Sequence, residues 1–257
     1  MSKDLYYPPL DIINLIVDLI HDDREALKAC CLISKSWVPS TQKFLFDEIR
    51  FTDNSKFEKW KLLFPNPAKS PAHHAHFLLV GCMNVSTEEF SWIQSFTNIT
   101  QLEVWDCMWP DRRWKTSYEP FDTLSSINSL CMGYDRQPQQ FSELICSFPL
   151  LKDLYILNVS NSEVFTNSNL NINQCFTLPP LTGTLVLRGE LEGISHQVLN
   201  LPFVPGFQEI VWKTAIFQQK KEIPGLVTAL VNRCSDTLQH IGFDISGCKS
   251  CPFGPCD

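Results

Sequence analysis

A pattern of four apolar residues, which we call the phrase, recurs along most of the chain. Two residues separate the first apolar position from the second and the second from the third, and one residue separates the third from the fourth. A strand with this pattern has an apolar face that it cannot bury alone, and stacking the copies buries all of these faces. The phrase therefore predicts a solenoid with one short strand in each copy. The third apolar position is Leu79, Leu102, Leu130, Leu154, Leu185, Ile210 and Ile241, at steps of 23, 28, 24, 31, 25 and 31 residues.

Helix-like segments lie between the copies. Residues 86–89 have the form of a capping box, and Pro224 is a good helix-entry residue ahead of an apolar stripe. Short parallel strands that alternate with helices at this period are typical of an α/β leucine-rich-repeat-like solenoid, which we predict over residues 77–247. The alternative is a general α/β domain in which the spacing is coincidental. The two clearest stripes are Phe141, Leu144, Ile145 and Phe148, and Leu226, Val227, Leu230 and Val231.

The first fifty residues have the periodicity of helices. Apolar residues recur at steps of three and four from Ile12 to Ile20, with Asp11 as a first-turn acid, which predicts a first helix. A second stripe runs from Ala26 to Cys31, and Ser36 is a candidate N-cap for a third helix. The alternation of Ile49, Arg50 and Phe51 then predicts a strand.

These residues also carry a resemblance to a known family. The segment opens on Pro9, Leu10, Asp11 and Ile12 and closes on Ser36 and Trp37, with an Ile/Leu-rich helix and a Leu-x-x-Cys helix between them. This pattern resembles the F-box, and Pro8 is its one departure, because the family usually has Leu there. The resemblance implies a three-helix module over residues 6–51 that docks a Skp-type linker subunit. Its implied docking residues are Pro9, Leu10, Ile12, Ile16, Leu19, Leu27, Cys30, Leu32 and Trp37.

The chain is therefore predicted to be α+β, with an N-terminal three-helix module followed by the solenoid. Residues 52–76 would be a linker or a first irregular cap, and residues 248–257 a cysteine-containing tail. Three short helices cannot bury all of their apolar residues, and an exposed apolar patch marks an interface. The alternative is an ordinary helical cap that closes the repeat array.

Strand alternation predicts a second surface on the solenoid. If the apolar positions of the phrase face inward, their neighbours face the concave side, where aromatic and charged residues are typical interface anchors. The alternative is that the tryptophans pack under a neighbouring loop. The candidate target-binding residues on the predicted strands are Glu103, Trp105, Tyr155, Arg188 and Lys213. Trp109 and Arg112, in the loop that follows Trp105, are two further candidates. The predicted face also includes Asp153, Glu209, Val211 and Asp244.

Composition and charge exclude several function classes. The net charge of −7 argues against a nucleic-acid binder, which needs a basic surface. The chain contains no uninterrupted run of eighteen apolar residues, so we expect no membrane span. The opening residues lack a secretory signal, so the eleven cysteines are expected to be reduced in the cytoplasm or nucleus. No catalytic or cofactor-binding motif is present, and we expect neither an enzyme nor a bound cofactor.

The last ten residues contain Cys248, Cys251 and Cys256, which are weak candidates for a metal site because a structural zinc needs a fourth ligand. The favoured interpretation is a tail without metal. Taken with the resemblance, the expected function is that of a substrate-recognition adaptor in an SCF-type cullin–RING ubiquitin ligase. The module would dock the linker subunit and through it the cullin, and the repeats would bind a target protein. The alternative is an F-box and repeat scaffold outside ubiquitination.

Overall fold

A computed structural model describes residues 8–82, 92–105, 124–133, 145–159, 178–189, 198–199, 201, 203–213 and 223–244. The chain is α+β, and a parallel sheet alternates with helical segments. In the described residues the helices are α1 (Leu10–Leu19), α2 (Arg24–Ile33), α3 (Val38–Leu45), α4 (Asn54–Leu63) and α5 (Ile223–Arg233), with 3-10 turns at Pro67–Lys69 and Pro71–His74. The strands are β1 (Glu48–Phe51), β2 (Phe77–Gly81), β3 (Gln101–Trp105), β4 (Ser129–Gly133), β5 (Asp153–Val159), β6 (Thr184–Gly189), β7 (Glu209–Lys213) and β8 (His240–Asp244).

The first three helices form a small module with its own core. The Asp23 side chain caps α2 by accepting hydrogen bonds from the backbone N–H groups of Glu25 and Ala26, at 3.0 and 2.9 Å. Helix α3 begins after Trp37, with Pro39 in its first turn. The expected N-cap role of Ser36 is wrong: Trp37 occupies that position, and the backbone N–H of Ser36 donates to Ser34 Oγ instead. The module core consists of Ile13, Val17, Leu27, Cys30, Trp37 and Leu45.

The eight strands lie in the sheet in chain order, and each one pairs parallel to the next. Two apolar positions of each strand point to the same face, where they form continuous rows across the sheet. Both rows are buried until they reach β8, whose Ile241 and Phe243 are 47% and 50% exposed. The first row is Ile49, Leu78, Leu102, Leu130, Leu154, Leu185, Ile210 and Ile241, and the second is Phe51, Val80, Val104, Met132, Ile156, Leu187, Trp212 and Phe243.

The register corrects one sequence expectation. Leu78, and not Leu79, lies opposite Leu102, so the first step of the repeat is shifted by one residue. Every side chain of β2 is buried, so this strand shows no apolar and polar alternation. Alternation is what specifies register in a sequence, and a uniformly apolar strand does not carry that information.

Residues 52–76, predicted to be a linker or a first irregular cap, contain a helix that packs against the core of the sheet. Asp53 caps α4 by accepting from the backbone N–H of Lys56, and Phe57 and Trp60 of α4 are buried. The Phe57 ring meets Phe51 edge-on, with ring centroids 4.9 Å apart. Because β1 also pairs with β2, the strand that ends the N-terminal module is the first strand of the sheet.

Helix α5 packs on the same face of the sheet as α4 does, but near β7 at the opposite end of the sheet. Leu230 of α5 and Cys234 just beyond it are buried in one core with Trp212 and Ile210. The apolar stripe predicted after Pro224 lies in this helix and confirms the expected element. The core therefore lies on a single face of the sheet, and the side chains that alternate with it point to the opposite face. We call that opposite face the outer face.

Candidate partner-binding surfaces

Helix α1 has apolar residues on two of its sides. Ile13 and Val17 enter the module core and are 1% and 0% exposed. Successive residues of an α-helix are 100° apart, so positions 12, 15, 16 and 19 share a side next to that core. We call Ile12, Leu15, Ile16 and Leu19 the α1 ridge, and their side chains are 46%, 57%, 37% and 76% exposed.

Contacts with α3 hold α1 in place. The Ser40 hydroxyl donates to Asn14 Oδ1 at 2.6 Å, and Lys43 Nζ lies 3.4 Å from Asp18 Oδ1. Both contacts join α1 to α3, and Thr41 of α3 is itself buried. The α1 ridge is therefore presented by a helix that is already packed, and it does not arise from a loose terminal segment.

The structure divides the nine docking residues implied by the resemblance into two groups. Pro9, Leu10 and Leu32 are exposed, as are three members of the α1 ridge, so their side chains are accessible to a partner. The other group is buried in the module core, because a three-helix module of this size needs large apolar residues inside it. This corrects their expected role as contact residues. The buried group is Leu27, Cys30 and Trp37, at 0%, 8% and 7% exposure.

Two exposed apolar residues of the module were not among the expected contacts. Leu15 completes the α1 ridge, and its spacing of three from Ile12 and four from Leu19 is the signal that identifies it. Ile33 ends α2 and is 62% exposed, next to Leu32 at 87%. The module thus offers apolar side chains from the ends of two helices as well as from the ridge.

The outer face carries five of the expected target-binding residues. The register aligns Glu103 and Tyr155 in one row across the sheet, and Trp105, Arg188 and Lys213 in the row next to it. Strand alternation therefore places all five on the predicted side. Trp109 and Arg112, and the cysteines Cys248, Cys251 and Cys256, lie outside the described residues. Among the residues that are described, no group of three His, Cys, Asp or Glu side chains could hold a metal ion.

Glu103 is a buried acid on this face, with 3% exposure. The indole N–H of Trp105 donates to its Oε1, while Oε2 is buried and has no hydrogen-bond partner among the residues that the structure describes. Burial raises the pKa of the Glu103 carboxyl, against the lowering effects of the Trp105 N–H and of the charge on Arg50. A buried carboxylate with one orphaned oxygen is costly, so protonation relieves the folded state.

This raised pKa makes a prediction about stability. Because folded Glu103 holds its proton more tightly than the unfolded chain does, its contribution to stability is most favourable below the ordinary glutamate pKa. That contribution is lost as the pH rises through the raised value. We expect Glu103→Gln to increase the free energy of unfolding at pH 8 by about 1 kcal/mol. Urea denaturation at pH 8 and pH 4 checks this, since the gain should vanish at pH 4, and an equal effect at both pH values would contradict it.

Trp105 lies in a row with a glycine on each side, Gly81 and Gly133. A Cβ at Gly133 would overlap the Trp105 ring, so the indole lies directly over the backbone of this glycine. The alternative for Trp105 was packing under a neighbouring loop. Among the described residues, Gly133 provides a packing surface for the indole, which remains partly exposed. Glycine at this position is therefore a packing requirement for the aromatic side chain on the neighbouring strand.

We expect Gly133→Ala to displace the Trp105 indole and to destabilise the fold by about 1–3 kcal/mol, as overpacking does. Loss of the Trp105–Glu103 hydrogen bond should accompany the displacement. Near-ultraviolet circular dichroism and urea denaturation measure the two effects. The double variant Gly133→Ala with Trp105→Ala is the control, because it removes the overlap. If the added methyl costs as much in the Trp105→Ala background as in the wild type, the packing argument fails.

The chain matches no protein-family model, no curated protein and no solved structure. Within the described residues, no helix is long and apolar enough to cross a membrane. The resemblance of the N-terminal module to the F-box therefore depends on the pattern of its own residues. The described residues present an apolar ridge on α1 and a mixed charged and aromatic face along the sheet.

Proposed function

We propose that this chain is a substrate-recognition adaptor of an SCF-type cullin–RING ubiquitin ligase. In this proposal the N-terminal module is an F-box that binds a Skp-type linker subunit, and the sheet is a leucine-rich-repeat-like solenoid that binds a target protein. The observation that carries the proposal is the α1 ridge. It supplies four large apolar side chains at helical spacing on a packed helix whose own core does not use them.

The exposed ridge favours binding of a partner, because a partner that covers it removes apolar side chains from water. Burying a Leu or Ile side chain is worth about 1.5–3 kcal/mol, so covering the ridge offers several kcal/mol of association energy. Part of that energy is offset by the lost freedom of the two partners. An ordinary cap on the repeat array would turn its apolar residues toward the array, and the ridge residues remain exposed beside it.

The resemblance and the exposure agree at the ridge. Ile12, Ile16 and Leu19 hold positions of the F-box pattern, and these are also exposed apolar residues of α1. The pattern positions that turn out to be buried serve the module core, which holds α1 in place. The resemblance therefore supports the linker subunit as the occupant, with the exposed subset as the contact.

The sheet supports the second half of the proposal. Eight parallel strands in chain order give an outer face that spans the whole array, as a solenoid does. Partly exposed aromatic and charged side chains on that face, such as Trp105, Tyr155 and Arg188, are of the kind that anchor protein interfaces. The adaptor would act by proximity, since it brings a target to the conjugating enzyme and supplies no nucleophile. A cytoplasmic or nuclear location belongs to this proposal.

Copurification tests the proposal. The tagged chain, expressed with a Skp-type linker subunit and a cullin, is expected to recover both proteins. Recovery of the linker without any cullin would favour a scaffold outside ubiquitination. Failure of the folded wild-type chain to bind the purified linker at micromolar concentration would refute linker docking.

A further inference from the structure

The two apolar rows of the sheet are covered at one end and open at the other. At β1, Ile49 and Phe51 are buried, and the aromatic rings of α4 pack against Phe51. At β8, the last strand of the described sheet, the corresponding side chains of Ile241 and Phe243 are about half exposed. The described residues thus cover the beginning of both rows with a helix and leave the far end of both rows in contact with water.

Strand β8 also presents part of its backbone at the edge of the described sheet. The backbone N–H of His240 donates to the carbonyl of Gln208, just before β7, at 3.0 Å. Because successive backbone groups of a strand point to alternate sides, the N–H and C=O of Ile241 point away from β7. Phe243 and Asp244 have further contacts within the chain, so what Phe243 offers a partner is the exposed half of its ring. An edge of this kind is a template for a strand of another chain.

The sequence of β8 is complementary to itself when a second copy runs antiparallel to it. One register pairs all five residues of His240–Asp244, and it is centred on Gly242. In that register Ile241 lies opposite Phe243 of the second copy, and Gly242 lies opposite itself. Residues that are directly opposite each other share a face of the sheet, so each apolar row continues into a row of the second copy.

The polar side chains of the outer face agree with this register. Within one copy, His240 lies opposite Glu209, and Asp244 lies opposite Lys213. In the paired arrangement His240 of each copy also lies opposite Asp244 of the other. Each imidazole then lies between two carboxylates, and each Asp244 carboxylate lies between an ammonium and an imidazole. Cross-strand pairs of this kind stabilise a sheet, and the arrangement places no like charges opposite each other at the junction.

We propose that β8 is a dimerisation edge, at which two copies of this chain pair antiparallel about a twofold axis through Gly242. Eight strands from each copy join in one sheet, and the exposed Ile241 and Phe243 of both copies lie between the two α5 helices. The inference goes beyond the proposed function and does not depend on linker docking. Because β1 is at the opposite end of each sheet, both N-terminal modules lie far from the junction.

A second copy fits this edge better than an unrelated strand does. A twofold interface uses the same patch on both sides, so the patch must be complementary to itself. The five residues of β8 meet this condition at every position. A shift of two residues toward the start of the strand would place Phe243 opposite Gln239 and Gly242 opposite His240, and neither pair joins two apolar side chains.

Sedimentation equilibrium of the full chain, without any linker subunit, tests the proposal. We expect the mass to rise from 29.5 kDa toward twice that value as the concentration increases from about 1 to 100 μM. Ile241→Lys places an ammonium group in the joined core and should raise the dissociation constant of the dimer at least about tenfold. The control is Leu150→Lys, which changes another half-exposed apolar residue and should dimerise as the wild type does.

Circular dichroism and urea denaturation establish that both lysine variants are folded. A wild-type chain that is monomeric at every concentration would overturn the proposal. In that case a loss of stability in Ile241→Lys would indicate that the chain itself covers β8. Equal weakening of the dimer by Ile241→Lys and Leu150→Lys would also overturn it, because the junction would then lie elsewhere.

Gly242→Cys tests the register. A Cβ at this position would contact only Val211, at 3.4 Å or more, so one copy accommodates the new side chain. Residues directly opposite in antiparallel strands have Cα atoms about 4.5–5.5 Å apart, within the span of a disulfide. With oxidised glutathione we expect a cross-linked dimer on non-reducing electrophoresis, above the level that the native thiols of the wild type give. Ser235→Cys, at an exposed position after α5, is the control, and cross-linking no faster than in this control would overturn the proposal.

Discussion

Leu15→Ala combined with Leu19→Ala should reduce the affinity for a Skp-type linker subunit by about a hundredfold or more. Each side chain would bury roughly 1.5–3 kcal/mol of apolar contact in the complex, and a loss of 1.4 kcal/mol is tenfold in affinity. Because the two residues are 57% and 76% exposed, their removal should leave the free energy of unfolding within about 0.5 kcal/mol of the wild type. Titration calorimetry measures the first quantity, and urea denaturation the second.

The matched control lies on α4. Leu62 and Leu63 are 80% and 72% exposed, so Leu62→Ala with Leu63→Ala removes the same atoms from another apolar surface. This double variant should bind the linker with wild-type affinity. If both double variants lose binding equally, the interaction depends on general stickiness. If the α1 variant binds normally, the ridge is not the docking surface, even where the wild type binds.

Trp212→Ala should destabilise the chain by about 3–5 kcal/mol, the cost of emptying a large aromatic site in a core. Trp212 has no exposed surface, packs in the row that crosses the whole sheet, and stacks on Phe243 with ring centroids 5.1 Å apart. Its indole N–H is buried and has no acceptor in the described part of the chain, so the contribution of this residue there is packing and not hydrogen bonding. Urea denaturation, followed by far-ultraviolet circular dichroism, gives the change.

Trp212→Phe separates these two contributions. Phenylalanine keeps a ring to stack on Phe243 and removes the unpaired N–H, whose burial is unfavourable. We expect it to recover more than half of the stability that the alanine variant loses. A phenylalanine variant as unstable as the alanine variant would indicate that the indole N–H has a partner in solution. That result would contradict the packing assignment.

The secondary structure of the module and the presence of a strand in each repeat could be predicted from the sequence. The first helix follows from the spacing of Ile12, Ile13 and Ile16, and the strands from the recurring phrase, because both patterns are local. The register of β2 could not be predicted. Leu78 and Leu79 are both apolar and both buried, and only pairing with β3 distinguishes them.

The candidate sites divide in the same way. The sequence identified Ile12, Ile16 and Leu19 as apolar, yet Leu27 and Trp37 have the same character and lie inside the module. Exposure depends on which side of a helix meets its neighbours, and apolar periodicity on α1 covers both its core side and its ridge. For this reason the resemblance implied nine docking residues without separating the inner set from the outer one.

Local sequence patterns predicted the strand period, the helical start and the alternation that places Glu103, Tyr155, Arg188 and Lys213 opposite the core, because these features depend on residues close together along the chain. The tertiary structure was needed to show that β1 and α4 belong to the sheet and its core, that one oxygen of Glu103 is buried without a partner among the described residues, and that Arg188 lies opposite Lys213 across β6 and β7. The strand pairs involved join residues about 25 or more positions apart along the chain, and no local pattern encodes such contacts.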